Sequence, residues 1–135
     1  MTPAAPTRLA TRDAGSAVAE FAAVAGVLAL LFAAVLQVGF AVHVRALAVD
    51  AAGEGARFGA LAGSGTAAGA QRTRDLLAAS LSPRYAEDVS AATVVLQGEE
   101  VVRVRVRAPL PVLGTLGPAR ALDVSGHALR EVPRG

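Results

Sequence analysis

Few side chains in this sequence could do chemistry, and their spacing narrows the choice further. There is no Cys, which excludes thiolate nucleophiles, disulfides and Cys-ligated metals. The two histidines, His43 and His127, are distant in the chain, so a zinc site is not expected. His127 alternates with Ser125 and Asp123, the residue types of a Ser-His-Asp relay. On a strand such residues share a face but stand about 7 Å apart, too far for direct proton transfer. A solvated sheet face is the expectation there. Arg103, Arg105 and Arg107 alternate with valines and could hold phosphate-rich ligands, yet Glu99, Glu100 and Asp123 can neutralise them across strands. No Gly-rich phosphate loop follows a strand. The residue that most needs explaining is Glu20. It stands five positions after Gly15 and directly against a long apolar run, where an acid is costly unless it is partnered or held at an interface. Capping of the first helical turn, which favours an anion, is the plain alternative.

That apolar run, within Gly15 to Val42, is the element that positions everything else. From Phe21 to Val44 no residue carries a formal charge if His43 is neutral, and only Gln37 is strongly polar before Val42. A helix of about 22 residues rises about 33 Å, enough to cross a hydrocarbon core of about 30 Å. Arg8 and Arg12 precede it, which by the positive-inside rule places the N-terminus in the cytoplasm and the remainder outside. A secretory signal cut after Ala46-Leu47-Ala48 is the competing pattern, but the run is longer than a signal's apolar core. The sequence has 135 residues, enough for one small domain beside a membrane span. Its formal net charge is +2, with 13 basic residues, all Arg. The high isoelectric point, about 10.4, comes from Arg spread along the chain, and nucleic acid is not an expected partner. Lys, Asn and Ile, which use AT-rich codons, are all absent, as expected of a high-GC bacterium.

The segments divide as follows. Residues 1–15 form a short cytoplasmic leader without apolar periodicity. Residues 16–62 form one helix, membrane-spanning first and then a stalk. Val44, Leu47, Ala48, Ala51, Ala52, Gly55, Phe58 and Ala62 make a narrow small-residue stripe along the stalk. Gly53, Gly55 and Gly59 weaken that helix but permit close packing. Residues 63–135 form a small extracytoplasmic domain. A Gly-Ser linker leads to a helix over 70–81, with Ser64 or Thr66 as N-cap. Tyr85 to Val89 is a connection. Strands follow at 92–97, 101–107 and 122–129, with a Gly98-Glu99 turn and a proline-broken loop over 109–118. Val102, Val104 and Val106 face one side, as do Leu122, Val124, Gly126 and Ala128. The fold class is α+β: a long membrane helix, a short helix and a small antiparallel sheet of about three strands.

Two short stretches resemble known patterns. Gly15-Ser16-Ala17-Val18-Ala19-Glu20-Phe21 resembles a class III prepilin processing site. That resemblance implies cleavage by a prepilin-type peptidase after Gly15, leaving Ser16 as the first residue and Glu20 as the fifth. The new Ser16 amine would then pair with Glu20 of its own chain or of a neighbour. Glu20-Phe21 followed by Ala51-Ala52-Gly53-Glu54-Gly55-Ala56-Arg57-Phe58 resembles the TadE-like family of minor pilins or pseudopilins of the Tad/Flp tight-adherence pilus. Gly53 departs from its pattern, where a larger residue is common. The resemblance implies a pilin-like, non-enzymatic, single-pass membrane protein. It implies no cofactor, and as partners the bilayer, other pilins or pseudopilins and the Tad assembly machinery. An uncleaved membrane-anchored subunit of a secretion or envelope complex, and a small secreted domain released after Ala48, are the competing readings.

Overall fold

The computed structural model describes residues 10–110 and 121–132. The expected leader up to residue 9 and most of the proline-broken loop lie outside the described residues. Helix α1 spans Ala10–Ala60, α2 spans Thr66–Ser80, and a 3-10 turn covers Pro83–Ala86. Strands β1 (Asp88–Leu96), β2 (Glu99–Pro109) and β3 (Ala121–Leu129) follow. They form one antiparallel sheet in the order β1-β2-β3. The class is therefore α+β, with a long apolar helix, a short helix and three antiparallel strands. The chain divides into two compact units, one ending at Val38 and one beginning at Gly39.

In the first unit α1 is exposed on every side from Gly15 to Leu36. A helix apolar all round has no face to present to water. Gly15–Ala60 contains a helix long and apolar enough to cross a membrane.

In the second unit the last turns of α1, together with α2, cover one face of the sheet. The core is built almost wholly from small side chains: Val44, Ala48, Ala52 and Ala56 from α1, Val102, Val104 and Val106 from β2, and Val124 from β3. Leu77, Tyr85 and Leu122 are its larger members. The buried stripe of α1 differs from the expected one after Gly55. It continues through Ala56, Gly59 and Ala60, while Phe58 and Ala62 face outward. The helix keeps its 3.6-residue period, so a step of four replaces a step of three in that turn.

Other boundaries moved for local reasons. Helix α2 begins at Thr66, capped by Gly65 with positive φ and no side-chain hydrogen bond, so neither Ser64 nor Thr66 serves as its cap. Strand β1 begins at Asp88, because the long β2 ladder carries the register on to Asp88↔Arg107. The hairpin turn is Gln97-Gly98, not Gly98-Glu99, and both residues have positive φ. That is the primed turn whose twist matches a right-twisted hairpin. Glycine adopts this conformation freely; glutamine does so at a cost of about 1–2 kcal/mol. Replacing Gln97 with Asn, which tolerates the left-handed region, is expected to stabilise the fold by about 0.5–1 kcal/mol. A raised midpoint of thermal unfolding in detergent checks this.

Candidate functional site

The candidate assembly segment begins with Gly15 and Ser16, both within helix α1. Glutamate side chains on a helix lean toward its N-terminus and meet the residue one turn before. Accordingly the Ser16 hydroxyl donates to Glu20 Oε1 at 3.4 Å. The carboxylate thus already reaches the residue whose amine a cut after Gly15 would free. Phe21 is exposed beside it. No charged residue follows until Arg45.

The second candidate group, Glu54 to Phe58, is split between two faces of α1. Glu54 and Arg57 form an exposed i,i+3 ion pair at 3.4 Å. Such pairs contribute at most about 0.5 kcal/mol. Phe58 is 39% exposed. Gly55 and Ala56 face inward, and Ala56 is fully buried. A Cβ on Gly55 would land on Thr73 Oγ1 and come within 2.6 Å of the Gly69 carbonyl. Gly59 lies as close to α2, where a Cβ would meet Gly65 O at 3.0 Å and Gly69 Cα at 3.2 Å. Gly55 and Gly59 on α1 therefore bring its backbone against Gly69 of α2. Thr73 fastens the crossing: its buried hydroxyl lies 3.2 Å from Ala51 O and 3.1 Å from Gly69 O, its one proton shared between the two carbonyls. On the sheet side Gly126 plays the same part, since a Cβ there would strike the backbone of Ala52 and Gly53. Thr73, Gly69 and Gly126 were not singled out as site residues from sequence. Gly126 was placed correctly on the inward face of β3, but alternation cannot reveal that a helix backbone lies against it.

On the outer sheet face the three arginines do not stand free as a stripe. Arg105 Nε donates to Asp123 Oδ1 at 2.7 Å, with a second bond from Nη2 to Oδ2. Arg107 Nε lies 3.6 Å from the same carboxylate. Arg103 stands opposite His127 in the ladder. Hydrogen bonding to Arg105, then the charges of Arg105 and Arg107, hold the Asp123 carboxyl below the usual carboxylate range. The same hydrogen bond and charge raise the Arg105 guanidinium above its ordinary value. Asp123 is thus engaged by arginines and is not aimed at His127. Glu100 pairs with Arg130 at 3.4 Å instead of the stripe. Among the described residues no group of three or more His, Asp and Glu side chains could hold a metal.

Gly55→Ala is expected to destabilise the second unit by about 1–3 kcal/mol through overpacking. Gly53→Ala, where a Cβ meets nothing nearer than Arg57 Nη1 at 4.0 Å, is expected to stabilise it by up to about 1 kcal/mol. Denaturant titration of both variants separates close packing from helix propensity. For Asp123, a depressed folded-state pKa means stability that is present above the unfolded value, about 3.9, and is lost as pH falls through the folded value. Acid unfolding of Asp123→Asn should therefore be shallower below about pH 4 than that of the parent, as circular dichroism across that range would show.

One comparison with known protein families finds a match. The model of the TadE-like protein family matches residues 15–57. No curated protein and no solved structure matches the chain. The matched stretch opens at Gly15, takes in Glu20-Phe21 and closes at Arg57, so residues 15–57 carry the TadE-like pattern.

Proposed function

We propose that the protein is a minor pilin or pseudopilin that acts in assembly of a Tad-type pilus after cleavage between Gly15 and Ser16. A TadE-like match and an apolar helix able to cross a membrane fit a Tad-pilus-associated membrane protein. That family is not known as enzymatic. The placement of Glu20 is the observation that supports a processed pilin. It is the only formal charge between Gly15 and Arg45, it is one turn from Ser16, and the family match starts at Gly15.

The chemistry is simple. Water adds across the Gly15–Ser16 peptide bond, leaving a carboxylate on Gly15 and an ammonium on Ser16. The ammonium sits where the helix dipole is positive, and Glu20 offers the compensating anion. In lipid, an acid alone is costly; paired with an amine it is far less so. A peptidase needs the bond out of the helix, and Gly15 lowers the cost of unwinding by about 1 kcal/mol relative to Ala. In this reading residues 1–15 are the leader, 16–62 the span and stalk, and 63–135 the extracytoplasmic domain, with Arg8 and Arg12 holding the N-terminus in the cytoplasm. Prepilin-type peptidase, other pilins or pseudopilins and the assembly machinery are the partners.

Release after Ala48 sits poorly with the fold, since Ala48 is buried within α1. The intact mass and N-terminal residue of protein extracted from its native membrane test the proposal. A start at Ser16 is expected. A start at Met1 or Thr2 would sink processing and favour the uncleaved envelope subunit. Glu20→Ala is further expected to insert normally and to reduce pilus assembly, scored by pilus counts beside membrane fractionation; unchanged assembly would count against the pairing.

A further inference from the structure

Strand β1 lies at an edge: it pairs with β2 on one side and, among the described residues, with no strand on the other. The hairpin tells which of its residues face the open side. A two-residue turn joins Leu96 to its register partner Glu99, and in such a turn that pair exchanges both hydrogen bonds. Asp88, Ser90, Ala92, Val94 and Leu96 therefore turn their backbone groups toward β2. Val89, Ala91, Thr93 and Val95 turn theirs outward. An independent contact agrees: the Val89 carbonyl accepts from Arg74 Nη2 at 2.9 Å. On the far side Arg130 N–H donates to Glu100 O at 3.0 Å. That phase leaves Asp123, Ser125, His127 and Leu129 of β3 turned away from β2, toward an edge that no other strand pairs among the described residues.

Edge strands are ordinarily guarded by charge, proline or a bulge. Between Val89 and Gly98 this strand has no charge and no proline, and its register with β2 is unbroken. Arg74 closes the Val89 end, leaving Ala91, Thr93 and Val95 open. Beside them Val95 is 67% and Leu96 47% exposed; on the opposite edge Leu129 is 62% exposed.

We propose that a second copy of this chain docks here, laying its β3 alongside β1 in parallel and continuing the sheet from subunit to subunit. Both strands are nine residues long. Both run antiparallel to β2, so copies in one orientation meet as parallel strands. With the two strands fully overlapped, Leu96 comes beside Leu129 of the second copy and Val95 beside its Ala128. Ala92 comes beside its Ser125 and Ser90 beside its Asp123. The exposed apolar residues thus cover one another, and no like charges meet.

Symmetric pairing of β1 with β1 fits less well. It would be antiparallel, about an axis normal to the sheet. Helix α1 runs the same way as β3, since Ala52 backs on Gly126 and Ala60 O accepts from Glu131 N–H at 2.9 Å. The two-fold axis would therefore put the two Gly39 ends, where each chain enters its apolar run, at opposite ends of the joined sheet. Parallel docking keeps them at one end. The inference uses the membrane-anchored reading only for this choice of direction and is independent of processing at Gly15. Such a head-to-tail contact closes into a ring or extends as a filament.

The chain has no Cys, so single thiols can be placed at will. Full-length Ala92→Cys and Ser125→Cys chains, differently tagged, are coexpressed in membranes and mildly oxidised. Adjacent strands stand about 4.8 Å apart, within disulfide reach. A mixed disulfide dimer is expected, with loss of that dimer when either variant is expressed alone. Thr93→Pro, added to the Ala92→Cys chain, removes an outward N–H without touching the β1–β2 ladder. It is expected to abolish the mixed dimer and leave the circular dichroism spectrum unchanged. Absence of the mixed dimer, equal yields from single variants, or adducts only with other proteins would overturn the proposal. Survival of the mixed dimer with Thr93→Pro would also overturn it.

Discussion

Where α1 crosses α2 and the sheet, main chain lies against main chain. Gly55 and Gly59 admit the backbone of Gly69, and Gly126 admits the backbone of Ala52 and Gly53. The rest of the second unit depends on this spacing. Its core is mostly alanine and valine, side chains too short to fill a wider gap between layers. Dispersion falls steeply with separation, so moving the layers apart by even a fraction of an ångström would forfeit much of the contact energy of these small residues. Thr73 then serves two ends: it fills the volume left by Gly55, and its hydroxyl satisfies carbonyls of both helices. No buried side-chain polar atom among the described residues lacks a partner, as a core with little apolar surplus requires.

This arrangement gives the Glu54 to Phe58 segment a physical division of labour. Gly55 and Ala56 belong to packing; Glu54, Arg57 and Phe58 belong to the surface. The exposed ion pair contributes little to stability, whereas the glycine sets the distance between two helices. At the other end of α1 the constraint is electrostatic. A single carboxylate at the mouth of an otherwise charge-free run makes sense only with a cation near it or with water at the interface. The Ser16 hydroxyl, one helical turn away, lies 3.4 Å from that carboxylate.

The sheet divides in the same manner. Its inner face is covered by helices near Val89, Val104 and Val106, and the cover thins toward the Gln97-Gly98 turn, where Thr93 and Val95 are exposed although they point to the core side. On its outer face Asp123 gathers Arg105 and Arg107, so a stripe of formal charge +3 presents a smaller effective charge. Charge neutralised within the sheet leaves shape and backbone hydrogen bonding to govern what its open edge can take.

Much of this was legible without coordinates. The charge-free run and the acid at its mouth are properties of composition and spacing, because crossing a membrane demands length and apolarity whatever the partners. Strict alternation in Val101 to Arg107 placed β2 and its inward valines, since a strand has a period of two and nothing else satisfies it. Boundaries set by pairing were not legible: Asp88 to Ala91 became strand because β2 extended far enough to hold them. Past Gly55 the buried face of α1 runs through Gly59 and Ala60 and not Phe58, because a helical face can advance by three or by four residues and only the packed partner decides which. Sequence alone thus determined the apolar helix, the fold class and the alternating faces, each a local consequence of side-chain chemistry. Tertiary structure decided which glycines are contacts, which arginines are neutralised and, among the described residues, which strand edges have no neighbour. Those depend on residues far apart in the chain meeting at distances that no local pattern encodes.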